Sequence, residues 1–326
     1  MDVSRRDFIG AAGGFFAVSG LSGCLSAAAD RAAGEQAVFE GRSPHERLSL
    51  AYSHVKVGLE TPFSILHISD THLCAADGRE SEFKRGFAKR RTAVFGGRME
   101  EALRDSLSWA KSNVDAVLHT GDLIDFQTEA NYELVKKYFG GAPGMFGCPG
   151  NHEYQRRSEG DRIRNTGEYN NLSAAELQKV FPFDLNFNST VVGGVNFVSI
   201  EQTYGFVTGD QVERFHAEVK KGLPIVLSMH VPFMTDEIWR ASCRFWGGCG
   251  KKYRSAAIAA ARGDYKRQIE DPTTSSFIAY LKKEPLLKAI CAGHLHITID
   301  DAFSPTAREY LVGGNFLFHG REILFT

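Results

Sequence analysis

The chain has 326 residues, 43% hydrophobic and 24% charged, with a formal net charge of -1. That is ordinary globular composition, long enough for a large core in one or two domains. Charge this close to neutral excludes the overall basic excess that a nucleic-acid partner calls for. The chain carries 11 histidines, more than a neutral scaffold needs.

The N-terminus reads as an address. Ser4-Arg5-Arg6-Asp7-Phe8-Ile9 resembles the twin-arginine export motif, and the glycine-rich apolar run Phe8 to Gly23 is too short and interrupted for a spanning helix. Leu21-Ser22-Gly23-Cys24 resembles a lipobox, which would make Cys24 the lipidated first residue of the mature chain; the competing reading is cleavage after Ala27-Ala28-Ala29. Residues 1–29 are thus set apart as an export signal and the start of an Ala/Gly-rich tether, and residues 30–326 as one domain. The expected location is the periplasm or cell envelope, with membrane attachment only through a lipid on Cys24. In an oxidising compartment, Cys243 and Cys249 stand close enough to pair. Cys74, Cys148 and Cys291 read as small buried apolar residues, since none has metal-binding CxxC spacing.

In chain order, Phe63 to Ser69 is a strand run ending at Asp70. A long, mostly helical segment follows, clearest from Arg98 to Lys111, where Met99, Ala102, Leu103, Leu107 and Ala110 keep helical spacing. Val114 to Thr120 is a strand that delivers Asp122, Thr128 to Phe139 a helix, and Met145 to Cys148 the strand before Gly150-Asn151-His152-Glu153. The alternation predicts parallel strands whose functional loops leave the C-terminal strand ends. Tyr154 to Asn171 is a polar loop, and a short helix follows around Ala174 to Phe181. Asn186 to Val192, Gly193-Gly194 and Val195 to Ile200 form a hairpin. Gly209 to Lys221 is helical, and Pro224 to Met229 is a buried strand that delivers His230. Residues 235–271 form an insertion with Trp239, Trp246 and several basic residues. Thr274 to Lys283 is a helix, Leu287 to Ala292 the strand before Gly293-His294-Leu295-His296, and two or three strands close the chain.

Aspartate, histidine and asparagine at five strand ends are the donor set of a pair of divalent ions. Mixed oxygen and imidazole donors favour Mn, Fe, Zn or Co over Ca or Mg. Such ions about 3.5–4 Å apart stabilise both the attacking and leaving oxygens of a displacement at phosphorus. Any one of these residues alone would more often be a capping or hydrogen-bonded group.

Asp70-x-His72, Gly121-Asp122-x-x-Asp125, Gly150-Asn151-His152-Glu153, His230 and Gly293-His294-x-His296, in this order, resemble the calcineurin-like metallophosphoesterases. The resemblance implies an α/β sandwich of two mixed β-sheets flanked by helices. It implies that Asp70, His72 and His296 hold one metal and Asn151, His230 and His294 the other, with Asp122 bridging, and that a metal-bound hydroxide attacks. His152 would not be a ligand but would stabilise the phosphate or protonate the leaving oxygen, with Glu153 orienting it and Asp125 supporting from behind. His67 and His119 are expected to be satisfied strand histidines. The expected substrate is a small or lipid-linked phosphodiester. A scavenging phosphomonoesterase is the alternative; a nuclease or a non-catalytic binding lipoprotein fits less well. Trp239 and Trp246 either stack on substrate or pack into a core, and the arginines after Glu153 either steer phosphate or lie at the surface.

Overall fold

The structure is a computed structural model that describes residues 46–141, 145–160, 167–203, 205–246 and 271–326. The export signal, Cys24, Cys249, Arg162, Arg164 and most of the insertion lie outside these residues.

The element order begins β1 (Ser49–Val55), β2 (Phe63–Ile68), α1 (Glu82–Val94), α2 (Met99–Asn113), β3 (Ala116–His119), α3 (Glu129–Phe139) and β4 (Met145–Gly147). Two short helices, α4 (Gly167–Asn171) and α5 (Ala174–Gln178), lead to the hairpin β5 (Phe187–Val192) and β6 (Val195–Ile200). Then come α6 (Gly209–Val219), β7 (Ile225–Ser228), α7 (Asp236–Phe245), α8 (Pro272–Leu281), β8 (Leu287–Ala292), β9 (Ile299–Ala302), β10 (Arg308–Leu311) and β11 (His319–Phe325).

The strands form a 5-stranded sheet ordered β1-β11-β2-β3-β4 and a 6-stranded sheet ordered β5-β6-β7-β8-β10-β9. Both are mixed. β2, β3 and β4 run parallel to one another while β11 enters antiparallel to β2, and β6, β7, β8 and β10 are parallel while β5 and β9 are antiparallel edges. The expected sandwich is therefore present. Its middle layer interdigitates Phe63, Ile65, Leu118 and Phe146 of the first sheet with Phe197, Val226 and Ala289 of the second. On the first sheet's outer face, Leu66, Ile68 and Val117 pack against Leu103 and Trp109 of α2 and Val135 of α3. With both faces covered, every residue of β2, β3 and β7 is buried, so these strands read as continuous apolar runs rather than alternating ones.

Helix ends follow local chemistry: the Ser81, Thr128, Thr235 and Asp271 side chains each accept a first-turn backbone N–H, and Thr208 and Gln211 form a reciprocal capping box. Gly193 and Gly194 both have positive φ (54° and 84°), the geometry of a tight two-residue hairpin turn that only glycine adopts without strain. The strand β1 and the separate helix α1 are additions to the sequence reading. β1 pairs in parallel with β11 from the far end of the chain, a partner that no local pattern announces. Among the described residues, no helix is long and apolar enough to cross a membrane.

Candidate metal centre

The parallel strands β2, β3, β4, β7 and β8 all point their C-terminal ends the same way, and the residues that follow them converge. Asp70, His72, Asp122 and His230 lie at the buried floor, while Asn151, His152, His294 and His296 are half-buried around the mouth. All eight residues singled out by sequence are thus brought to one place. Of the non-glycine residues with positive φ among those described, Asp70 (54°), His72 (54°), Asp122 (55°), His294 (66°) and His296 (56°) belong to this cluster. Left-handed backbone costs a β-carbon-bearing residue of order 1–3 kcal/mol, so the fold is holding these side chains where local preference would not.

Two donor groups are formed. In the first, Asp70 Oδ1 lies 3.2 Å from His296 Nε2 and 3.8 Å from His72 Nε2, and the two imidazole nitrogens approach to 3.2 Å. In the second, Asp122 Oδ2 lies 3.2 Å from His230 Nε2, which in turn lies 3.2 Å from His294 Nδ1. Asp122 Oδ2 also lies 3.7 Å from His72 Nε2, so this carboxylate faces both groups.

The donors fit a cation pair. Nitrogen atoms of neighbouring imidazoles at hydrogen-bond distance can share at most one proton, and Asn151 Oδ1 is buried without a hydrogen-bond partner. A buried acceptor left in this way calls for an ion or water. Two of the four rings have the far side fixed as a metal ligand's should be: His230 Nδ1 donates to the Thr120 carbonyl at 2.7 Å and His72 Nδ1 to Asp125 Oδ1 at 3.0 Å, leaving both Nε2 atoms facing the carboxylates, whereas His296 Nδ1 is buried without a hydrogen-bond partner.

A third donor group, His72, Asp125 and His152, also has its atoms within reach of one ion. Its carboxylate is already taken. Asp125 accepts from His72 Nδ1, from His152 Nδ1 at 2.8 Å, and from Arg91 Nε and Nη2 at 2.6 and 2.8 Å. These contacts make Asp125 a support for two imidazoles rather than a ligand.

Glu153 departs from expectation. Its carboxylate does not orient His152. It accepts the backbone N–H groups of Asp122 (2.9 Å), Ile124 (3.1 Å) and Gly150 (2.6 Å), so it ties the β3 loop to the β4 loop. The His152 ring is instead held by Asp125, through both its Oδ1 and its backbone carbonyl at 2.9 Å.

Supports that the sequence did not announce come from elsewhere in the chain. Asn315 donates its backbone N–H to the Ser69 carbonyl and accepts from Thr71 Oγ1, clamping the Asp70 loop from both sides. Phe95 stacks on His72 (ring centroids 4.4 Å apart), and Phe316 packs edge-on against His72 and His296. No motif flags an asparagine or phenylalanine 244 residues from its partner. His67 and His119 are buried strand histidines; His119 is satisfied at both ring nitrogens, by Thr71 Oγ1 and the Gly121 N–H, whereas His67 bonds Thr120 Oγ1 and its Nδ1 is left without a partner.

Of the two tryptophans, Trp246 stands 5.8 Å from His296 with its Nε1–H donated to the Leu295 carbonyl, and it also packs against the second-sheet core. Cys74, Cys148 and Cys291 are buried free thiols, and burial raises the pKa of each. Cys243 is disulfide-bonded.

The carboxylates set the electrostatics. Burial on its own would lower His230, but the charge and hydrogen bond of Asp122, with Asp70 behind, hold it up at about 10. Burial, with positive His230 beside it, pushes His294 down to about 3, and burial outweighs the Asp125 bond to bring His72 to about 4. Without metal, then, one proton on His230 supplies the positive charge that the aspartates demand. Because ligation needs the neutral ring, metal loading between about pH 7 and 9 should release a proton, and apparent affinity should rise with pH across that range. Calorimetric titrations in buffers of differing ionisation enthalpy measure this directly; a buffer-independent heat would contradict it.

The loops also fit too tightly for any side chain at Gly150. A β-carbon there would lie 2.2 Å from Asp122 Oδ1 and 2.4 Å from the Asp122 backbone nitrogen. Gly150→Ala should therefore displace the shared carboxylate, destabilise the fold by about 1–3 kcal/mol, and weaken metal binding. Thermal melts and metal analysis of the purified variant give the check, and wild-type values in both would refute this account.

Among solved structures, a dimetal phosphatase from Danio rerio is 15% identical at a TM-score of 0.43, covering 78% of this chain and 88% of its own. A calcineurin-like phosphoesterase from Bacillus subtilis is 12% identical at a TM-score of 0.40, covering 78% and 82%. A putative 5'-nucleotidase from Staphylococcus aureus is 12% identical at a TM-score of 0.37, and the chain spans only 49% of its length. Likenesses this distant carry no argument about substrate. No curated protein matches the chain. The calcineurin-like phosphoesterase profile matches residues 63–298, from the strand that delivers Asp70 to just beyond His296, and the chain accordingly belongs to that family of metal-dependent phosphoester hydrolases.

Proposed function

We propose that the chain is an exported hydrolase that uses two metal ions to cleave small or lipid-linked phosphodiesters. Asp70, His72 and His296 hold one ion and Asn151, His230 and His294 the other. Asp122 is shared, and its approach to both His72 and His230 is the observation that carries the reading. When bound, such a pair lowers the pKa of water and polarises phosphoryl oxygens; whether the ions are Mn, Fe or Zn is left to metal analysis.

The chain's own residues do the rest. Asp122 Oδ1 accepts the His152 backbone N–H at 2.8 Å, so the proton donor is indexed to the shared ligand. With Nδ1 engaged by Asp125, His152 Nε2 is the atom presented to the leaving oxygen, and the side chain keeps 17% of its surface exposed for that contact. Burial alone would lower its pKa, but the negative charges of Asp122 and Asp125 outweigh that desolvation, so the His152 pKa is raised above the ordinary histidine value.

Charge supports the diester reading: a diester carries a single negative charge where a monoester carries up to two, and the Arg91 guanidinium beside the cluster is already taken by Asp125. Export is supported by the Arg5-Arg6 motif and by the bonded state of Cys243, since disulfides persist in oxidising compartments. A mature N-terminus at lipidated Cys24, read by mass spectrometry, would establish attachment to the envelope, and an intact Met1 would overturn it.

The deciding experiment compares turnover of bis-p-nitrophenyl phosphate with that of p-nitrophenyl phosphate. It uses protein stripped of metal and reconstituted with Mn or with Zn plus Fe. Metal-dependent turnover favouring the diester is expected. Preference for the monoester would replace the reading with a scavenging phosphatase, and inactivity with two ions bound would favour a binding lipoprotein.

A further inference from the structure

We infer that Arg91 is a positioning residue that sets both His72 and His152 through one carboxylate. The inference rests on the role given to His152 above.

Arg91 lies in the last turn of α1, on a helix that carries none of the motif residues. Its guanidinium meets Asp125 as a fork, Nε to Oδ2 at 2.6 Å and Nη2 to Oδ1 at 2.8 Å. Asp125 is fully buried, whereas the arginine side chain retains 23% of its surface. The two oxygens are used unequally. Oδ1 receives His72 Nδ1 at 3.0 Å and His152 Nδ1 at 2.8 Å as well as Nη2, while Oδ2 receives Arg91 Nε.

A carboxylate rotating about its Cβ–Cγ bond would exchange these oxygens or turn both away from the rings. A planar fork prevents that, because two parallel N–H···O bonds fix the carboxylate plane as well as its position. Oδ1 is thereby kept where His72 Nδ1 donates to it and 2.8 Å from His152 Nδ1, whose N–H the Asp125 backbone carbonyl also accepts at 2.9 Å, and both Nε2 atoms face away from Asp125. Arg91 also lies over the Phe95 ring at 4.8 Å, and Phe95 stacks on His72 at 4.4 Å. One guanidinium thus braces the His72 imidazole twice, once through Asp125 and once through Phe95, and braces His152 through the same oxygen.

The predicted behaviour separates orientation from charge. Arg91→Lys keeps a cation but not the fork, so it should behave nearly like Arg91→Ala. Both should lower kcat about 10–100-fold, the range for partners that orient catalytic or ligating groups, with KM little changed. Because the defect lies in proton delivery, the loss should be larger for methyl phenyl phosphate than for methyl p-nitrophenyl phosphate, whose leaving group needs no proton.

The test compares wild type, Arg91→Ala, Arg91→Lys and His152→Ala on that substrate pair, with melting temperature and metal content recorded for each. It is joined by ¹⁵N-histidine NMR of the full chain, which follows the His152 Nδ1–H signal independently of turnover. Loss or broadening of that signal in both Arg91 variants, with two ions retained, is the expected result. An unchanged signal in Arg91→Ala overturns the inference, and so does full rescue by Arg91→Lys. If His152→Ala itself lacks the leaving-group signature, the acid role fails. The NMR result then still decides whether Arg91 positions the ring.

Discussion

Replacing Asp122 by asparagine is expected to cut turnover at least about a thousandfold and to leave one metal ion or fewer per chain. The amide keeps the size of the side chain and an oxygen for the His152 backbone N–H, now at 2.8 Å, so the β3 and β4 loops stay joined. What it removes is the negative charge that faces His72 at 3.7 Å and His230 at 3.2 Å together. Among the described residues no other carboxylate approaches ring nitrogens of both donor groups in this way. Elemental analysis after dialysis, alongside turnover at saturating metal, reads the result. A variant that keeps two ions and wild-type turnover would mean that Asp122 is structural and that the paired-ion reading is wrong.

His152→Ala should show the opposite division: turnover lower by about 10²–10⁴-fold, the range for a lost general acid, with both ions retained. Alanine preserves the backbone N–H that Asp122 Oδ1 accepts, and it leaves Asp125 still bonded to His72 and Arg91. The metal-donor groups therefore lose none of their members. The prediction also discriminates against the third possible donor group, in which His152 would share an ion with His72 and Asp125. If that were the true site, metal content would drop along with activity.

These two substitutions test residues that are adjacent in the fold yet differ in kind. Asp70, His72 and Asp122 sit on left-handed backbone at the buried floor, whereas His152 stands at the mouth with one ring nitrogen anchored and the other presented outward. That division of labour is a property of the site's shape.

Parts whose chemistry is local were legible from the residues alone. The β-branched and aromatic runs ending at Asp70, Asp122, Asn151, His230 and His294 are strands because each is short, apolar and closed by a glycine or a polar loop. The donors at their ends are legible because aspartate, histidine and asparagine have no other reason to recur there. The Gly193-Gly194 turn and the threonine and serine helix caps are equally local, since each depends on residues within a few positions.

The supports became visible only once distant segments were packed together. Asp125 and Glu153 both read as carboxylates close behind the motif, and nothing in the order of residues says which one faces the His152 ring. The answer depends on how the β3 and β4 loops cross, which turns Glu153 toward three backbone N–H groups and Asp125 toward two imidazoles. Arg91, Phe95, Asn315 and Phe316 reach the site from α1 and from the β10–β11 connection. They are ordinary residues in sequence, and they gain their roles from close packing between segments far apart in the chain. Strand order was hidden for the same reason. β1 is weakly patterned and becomes a strand because β11 lies beside it, so its partner is set by the closing of the sheet and not by its own residues.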